Sequence, residues 1–141
     1  MICNIRLEKN GDMILSSNGH EIITHSLKCK EVNSGYMSPG AMFMGALAGC
    51  KVLTFIKSAK YYKIKFEELN IEVEADVLST DNIGETPFKN QEYSEIRTKY
   101  SLKTDASIDK IDKVIDLANK ICTVNIAVDK NIKQSHKIEL L

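Results

Sequence analysis

The sequence has no tryptophan, only four phenylalanines and only two arginines, Arg6 and Arg97, among its 141 residues. With so few aromatics, much of the core must be aliphatic. An excess of charge of either sign is also missing: 19 basic and 19 acidic residues give a formal net charge of +0. No global field then steers the chain onto nucleic acid, whose phosphates call for a basic surface. Cys-x-x-Cys spacing is absent. The four cysteines, Cys3, Cys29, Cys50 and Cys122, stand far apart, and His20, His25 and His136 complete no zinc pattern with them, so no metal is expected. The first residues, Met-Ile-Cys-Asn-Ile-Arg-Leu-Glu, lack the charged start and apolar run of a secretory leader. The longest mostly apolar stretch, residues 37–52, is broken by Ser38, Pro39 and Lys51. It is shorter than the ~20 residues that span a bilayer, which points to a buried helix and not to a membrane segment. These absences together place the chain in the cytoplasm, where structural disulfides are unusual. Cys3 and Cys29 then read as small packing residues in strands.

What is present is a globular composition, 43% hydrophobic and 27% charged, in a length that suits one domain over residues 1–141. Residues 2–7 read as a strand. Asn10-Gly11 and Asn18-Gly19 are hairpin signals, since Asn and Gly tolerate the positive φ of a type I′ turn. A third strand is predicted over 21–29, with Glu21, Ile23, His25, Leu27 and Cys29 on one face. His20 and His25 fall on opposite faces of it and read as partly exposed strand residues. Ser38-Pro39 starts a helix to about Tyr61, Ser38 as cap and Pro39 at the tolerated first position. Phe43, Ala46, Leu47, Cys50 and Thr54 form its apolar stripe. Gly45 and Gly49 inside that helix predict the close approach of another element, because glycine there costs up to ~1 kcal/mol relative to alanine.

Residues 69–77 alternate cleanly, with Leu69, Ile71, Val73, Ala75 and Val77 against Asn70, Glu72, Glu74 and Asp76, as in a sheet covered on one side. A loop over 82–90 leads to a strand over 93–103 with Ile96, Thr98, Tyr100 and Leu102 on one face. Asp105 is the predicted cap of a second helix to Ile121, with Ile108, Ile111, Ile115 and Ala118 as its stripe. One more helical turn over 123–128 and a closing strand over 135–140 complete the order β-β-β-α-β-β-α-β. Strands joined by hairpins favour antiparallel sheets in an α+β fold. The first helix carries too little charge to stand exposed, which predicts an obligate dimer in which a second copy covers it.

Cys50 ends the run Ser38-Pro-Gly-Ala-Met-Phe-Met-Gly-Ala-Leu-Ala-Gly-Cys50, and Cys122 sits in Ile121-Cys122-Thr123-Val124. Pro39 followed by small and apolar residues and Ala48-Gly49-Cys50 resembles the first cysteine helix of the OsmC/Ohr family. Ile121-Cys122-Thr123-Val124 resembles its second cysteine motif. The spacing between them and the surrounding order of elements match over nearly the whole chain. The resemblance implies an intertwined α+β homodimer with two long central helices, and thiol-dependent reduction of organic hydroperoxides. In that chemistry Cys50 is the peroxidatic thiolate, Cys122 resolves its sulfenic acid to a disulfide, and an external dithiol resets the pair. No cofactor or metal is implied, because sulfur carries the oxidation change.

The chain departs from the family in one respect that bears on activation. Active members use an Arg from the N-terminal strands and a Glu near the start of the cysteine helix. Here the helix begins Pro39-Gly40-Ala41-Met42, and neither Arg6 nor Arg97 matches the family's Arg. Among substitutes, Lys51 points ~100° away from Cys50 on a helix. Lys57 lies closer to the same face, and Tyr36, His25 and Arg6 depend on the fold. The alternative to an enzyme is a non-catalytic OsmC-like dimer that binds a small apolar or thiol-containing ligand.

Overall fold

Asn18 and Gly19 both take positive φ, 50° and 77°, and close strand β2 (Asp12–Ser17) onto β3 (His20–His25) in the predicted type I′ turn. Asn10-Gly11 behaves differently. Only Gly11 has positive φ, 94°, and its N–H donates to Glu8 O at 3.0 Å while Glu8 N–H donates to Asp12 O at 2.8 Å. The link from β1 (Asn4–Leu7) to β2 is therefore a three-residue loop of the type I plus glycine-bulge kind. The Asn10 side chain accounts for the change, since its Oδ1 accepts the Asp12 N–H at 3.0 Å.

These coordinates belong to a computed structural model describing residues 1–141, and the chain divides into two compact units, Met1–Phe43 and Met44–Leu141. In the first unit β1, β2 and β3 form an antiparallel sheet in that order. β3 ends at His25, short of the predicted strand, and Cys29 lies buried in a 3₁₀ turn at Lys28–Lys30. The histidine itself ends the strand. Its Nδ1 accepts the N–H groups of Leu27 and Lys28 at 3.1 and 3.2 Å, and its Nε2 lies 3.1 Å from Asn10 O. A side chain that captures local backbone donors competes with the ladder. His25 is thus buried, in contrast to the exposure expected of it, while His20 is exposed. Cys3 precedes β1 and is exposed.

A Cβ on Gly11 would lie 2.7 Å from His25 Cε1. Gly11→Ala therefore meets both a strained φ and the ring, and is expected to cost about 1–3 kcal/mol. Equilibrium denaturation, with His25→Ala as a background that opens the space, checks this.

α1 (Pro39–Tyr61) begins in the first unit and has most of its length in the second, and its N-terminus is capped as the sequence predicts: Ser38 Oγ accepts the Ala41 N–H at 3.2 Å. The helix runs to Tyr61 as predicted, and its 23 residues are long and apolar enough to cross a membrane by length and composition alone, a test that a core helix also passes. Its buried residues are Leu47, Lys51, Thr54, Phe55, Ser58 and Ala59. That face is turned from the predicted stripe: Phe43 and Ala46 are exposed, and Cys50 lies at the boundary, half-buried. Gly45 and Gly49 do not receive a close neighbour within the chain, since a Cβ on either would meet nothing within 4 Å.

β4 (Glu68–Asn82) and β5 (Lys89–Lys103) form one long antiparallel hairpin with irregularities at Asp76/Val77 and Ser79/Asn82. Leu69, Ile71, Val73 and Ala75 turn inward, and beyond the irregularity Val77 is exposed. α2 (Ile108–Ile121) starts after Ser107, two residues beyond the predicted Asp105 cap, and buries Ile111, Val114, Ile115 and Ala118. The predicted extra turn is present as α3 (Thr123–Ala127), and β6 (Lys133–Leu140) closes the chain. The sheet order is β4-β5-β6. β6 runs parallel to β5, so this sheet is mixed where antiparallel pairing was predicted. The helical crossover through α2 and α3 is the reason, because a connection of that length carries the chain back to the end where β5 began. The α+β class stands. Phe55, Ala59, Tyr100, Leu102, Ile111, Val114, Ile115 and Ala118 make the main core, with Leu47, Ile96 and Val128 as a second cluster.

Candidate functional site

Cys50 is carried by α1, and Cys122 occupies the break between α2 and α3. With φ −80° and ψ 104°, Cys122 leaves helical geometry and serves as C-cap of α2 and N-cap of α3. Its Sγ accepts the Asn125 N–H at 3.4 Å, and its carbonyl accepts the Ile126 N–H at 2.9 Å. The cap fixes the thiol in place. It also starts α3 at Thr123, directly after the thiol.

The two sulfurs meet. Cys122 Sγ donates to Cys50 Sγ at 2.7 Å, and both are free thiols. Cys122 is fully buried and Cys50 is half-buried, so the attackable sulfur is the more accessible one. Their electrostatic situations diverge. Burial pushes the Cys50 thiol up, but donation from the Cys122 thiol, the Val124 N–H and the hydroxyl and N–H of Thr123 outweighs it and lowers the group from its ordinary value. Burial pushes the Cys122 thiol up, its bond to Cys50 adds to that, and Asn125 N–H and Lys51 oppose it, leaving the group raised. The pair therefore has one sulfur suited to ionise and one suited to keep its proton and donate it.

Lys51 is only 2% exposed, and its Nζ donates to Asn119 Oδ1 at 2.7 Å. Asn119 lies on the last turn of α2, three residues before Cys122, and its carbonyl accepts Asn125 Nδ2 at 3.4 Å. Burial holds the Lys51 ammonium below its ordinary value, and the charges available to Cys122 and Cys50 only partly oppose this. Lys57, the substitute favoured on helical geometry, faces solvent. Tyr100 OH is buried without a hydrogen-bond partner, as are Ser58 Oγ and Asn125 Oδ1. Burial first and the nearby Cys122 second hold the Tyr100 phenol well above its ordinary value.

The sequence pairs Cys50 with Cys122, and the structure brings them into contact. It weighs Lys51 only as a substitute pointing ~100° away from Cys50, and it passes over Asn119. A signal for Lys51 exists in the spacing Leu47, Lys51, Thr54, Ser58, which is one helix face, but a lysine on such a face is ordinarily read as solvated. Both arginines are held in ion pairs. Arg6 pairs with Glu8 at 2.6 Å. Arg97 holds Asp76 with two bonds of 2.6 and 2.8 Å and also reaches Glu74 and Glu95. No group of three or more His, Cys, Asp or Glu side chains is arranged to hold a metal ion.

A family model described as OsmC-like protein matches residues 32–137. A search of curated proteins returned no match. Among solved structures, an OsmC-like protein from Mycoplasma pneumoniae superposes with a TM-score of 0.80 at 20% identity, over 99% of this chain and 96% of its own. An organic hydroperoxide resistance protein from Elizabethkingia anophelis gives 0.74 at 16% identity, over 100% and 97%. One from Legionella pneumophila, named as an organic hydroperoxide resistance protein OsmC, gives 0.74 at 16%, over 99% and 96%. At these identities the superpositions establish the fold.

Proposed function

The chain belongs to the OsmC-like family, and from that premise we propose that it is a thiol-dependent hydroperoxide reductase working through Cys50 and Cys122. The observation that carries this reading is the 2.7 Å contact between the Sγ atoms of Cys50 and Cys122. The Cys50 thiolate attacks one oxygen of the hydroperoxide. The O–O bond breaks, the alkoxide takes a proton and leaves as an alcohol, and Cys50 becomes a sulfenic acid. Cys122 sulfur then attacks Cys50 sulfur, the S–O bond breaks, and water leaves as the disulfide forms. An external dithiol reduces that disulfide by exchange. An organic hydroperoxide fits better than a polar one, because aliphatic residues flank the cysteine on α1. The cytoplasm supplies the reducing setting in which both thiols stay free.

The same reading makes the protein a homodimer. On α1, Gly45, Ala46, Gly49, Leu53 and Ile56 stay exposed in the single chain, Leu53 at 65%. In the first unit Ile5, Leu7, Ile22 and Ile23 are exposed as well. A second copy covering such surfaces removes them from water.

Titration of reduced protein with cumene hydroperoxide and with hydrogen peroxide, counting thiols and mapping disulfides, is the direct test. The expected result is loss of two thiols per chain, faster with cumene hydroperoxide, and a single Cys50–Cys122 bridge. Thiols that survive excess hydroperoxide would sink the proposal in favour of a non-catalytic dimer binding a small apolar or thiol-containing ligand.

A further inference from the structure

Lys51 is a buried cation without a carboxylate. The ion pairs of the chain are made by Arg6, Arg97, Lys99, Lys103, Lys133 and His136. The single partner of Lys51 Nζ is the neutral Asn119 Oδ1. A charge removed from water and left unpaired is costly, and proteins pair or neutralise such groups. The negative charge within its reach is the one that the two cysteines are able to carry. Lys51 follows Cys50 on α1, and its anchor Asn119 precedes Cys122 on the last turn of α2. The hydrogen bond to Asn119 thus draws the ammonium across to the break where Cys122 sits.

We propose that Lys51 is the fixed counter-cation of the Cys50–Cys122 pair, held in place by Asn119 and stabilising the single negative charge that the two sulfurs share. It is a positioning residue and forms no bond with the substrate. This deepens the thiol reading above and rests on it for the following step. While both thiols are reduced, the charge resides on Cys50, with the Cys122 proton donated to it. Once Cys50 is a sulfenic acid it no longer carries that charge, and Cys122 must lose its proton to attack. Lys51 stays where it is and stabilises the new thiolate. The released proton joins the departing hydroxide as water, so charge and atoms balance across the step. The cation that the family draws from an N-terminal arginine is here supplied from the cysteine helix.

The titratable groups around Lys51 are few. Cys50 lies on its own helix, Cys122 follows α2 and Tyr100 lies on β5. On β6, His136 shares with Lys51, Thr98, Asn119, Gln134 and Ser135 a cavity of about 60 Å³. His136 Nε2 is already bonded to Asp112 Oδ1 at 2.6 Å, which leaves the cysteines as the groups that answer to Lys51.

The test reads Cys50 alone. Reduced protein is alkylated with iodoacetamide between pH 5 and 10, and the rate at Cys50 is followed by peptide mass spectrometry in wild type, Lys51→Met, Lys51→Arg and Asn119→Ala. An opposite charge within about 4–6 Å typically lowers an acid's pKa by about 1–3 units. Lys51→Met is therefore expected to move the Cys50 midpoint up by about one unit or more, a tenfold or greater loss of rate on the acidic side. Lys51→Arg is expected to restore most of the shift, and Asn119→Ala to give a smaller upward shift. Thermal melts accompany each variant, and loss of packing alone would not be rescued by arginine. A Lys51→Met profile that overlays wild type overturns the proposal. Should Lys51→Met fail to fold, an unshifted Asn119→Ala profile overturns it instead. Alkylation involves no hydroperoxide, so a wild-type protein inert to peroxides defeats the reductase reading while the counter-cation remains separately measurable.

Discussion

Cys50→Ser is expected to abolish hydroperoxide consumption, a fall of at least ~10³-fold, as for loss of any reacting nucleophile. Serine keeps the volume close but has no thiolate to offer. Cys122→Ser is expected to behave differently. The serine hydroxyl is still able to donate to Cys50, so one equivalent of hydroperoxide reacts and Cys50 stops as a sulfenic acid. Dimedone labelling at Cys50, seen in Cys122→Ser and absent from Cys50→Ser, separates the two. Multiple turnovers with a dithiol are expected from wild type alone. If Cys50→Ser consumed hydroperoxide at the wild-type rate, the roles assigned to both sulfurs would fail together.

Phe55→Ala is expected to lose about 3–5 kcal/mol, the range for truncating a fully buried aromatic. Phe55 is 0% exposed. Its ring lies 5.5 Å from that of Phe66, edge-on, and 5.9 Å from that of Tyr100. In a chain with few aromatics, Phe55 on α1 thus meets Tyr100 on β5 and Phe66 in the segment before β4. Total stability of a domain is typically about 5–15 kcal/mol, so the variant is expected to be marginal. Urea denaturation of Phe55→Ala against Phe55→Leu measures it. A loss below about 1 kcal/mol would show that the core is looser than the burial of Phe55 indicates.

Much of the fold is legible in the residues because local chemistry and burial agree. Ser38-Pro39 caps and opens α1, Asn18-Gly19 makes the turn that its residue types favour, and the alternation over residues 69–75 marks the covered face of β4. Reading fails where burial gives no signal. The far ends of β4 and β5, residues 78–82 and 89–92, are mostly exposed on both faces, so no periodicity marks them as strand. It fails also where one side chain redirects the backbone, as His25 does by taking the N–H groups of Leu27 and Lys28. The parallel seating of β6 is set by the α2–α3 crossover and not by any residue within β6.

For the site, the sequence by itself determined the two cysteines, the helix that carries the first and the helix end that carries the second. Spacing and residue type suffice for that, because capping and amphipathic periodicity are local. Only the tertiary structure decided that the two sulfurs touch. It alone decided that Lys51 is buried and bonded to Asn119. Those facts depend on long-range packing, in one cluster with Phe55, Tyr100 and Val114 and a second with Leu47 and Ile96, which no local pattern encodes.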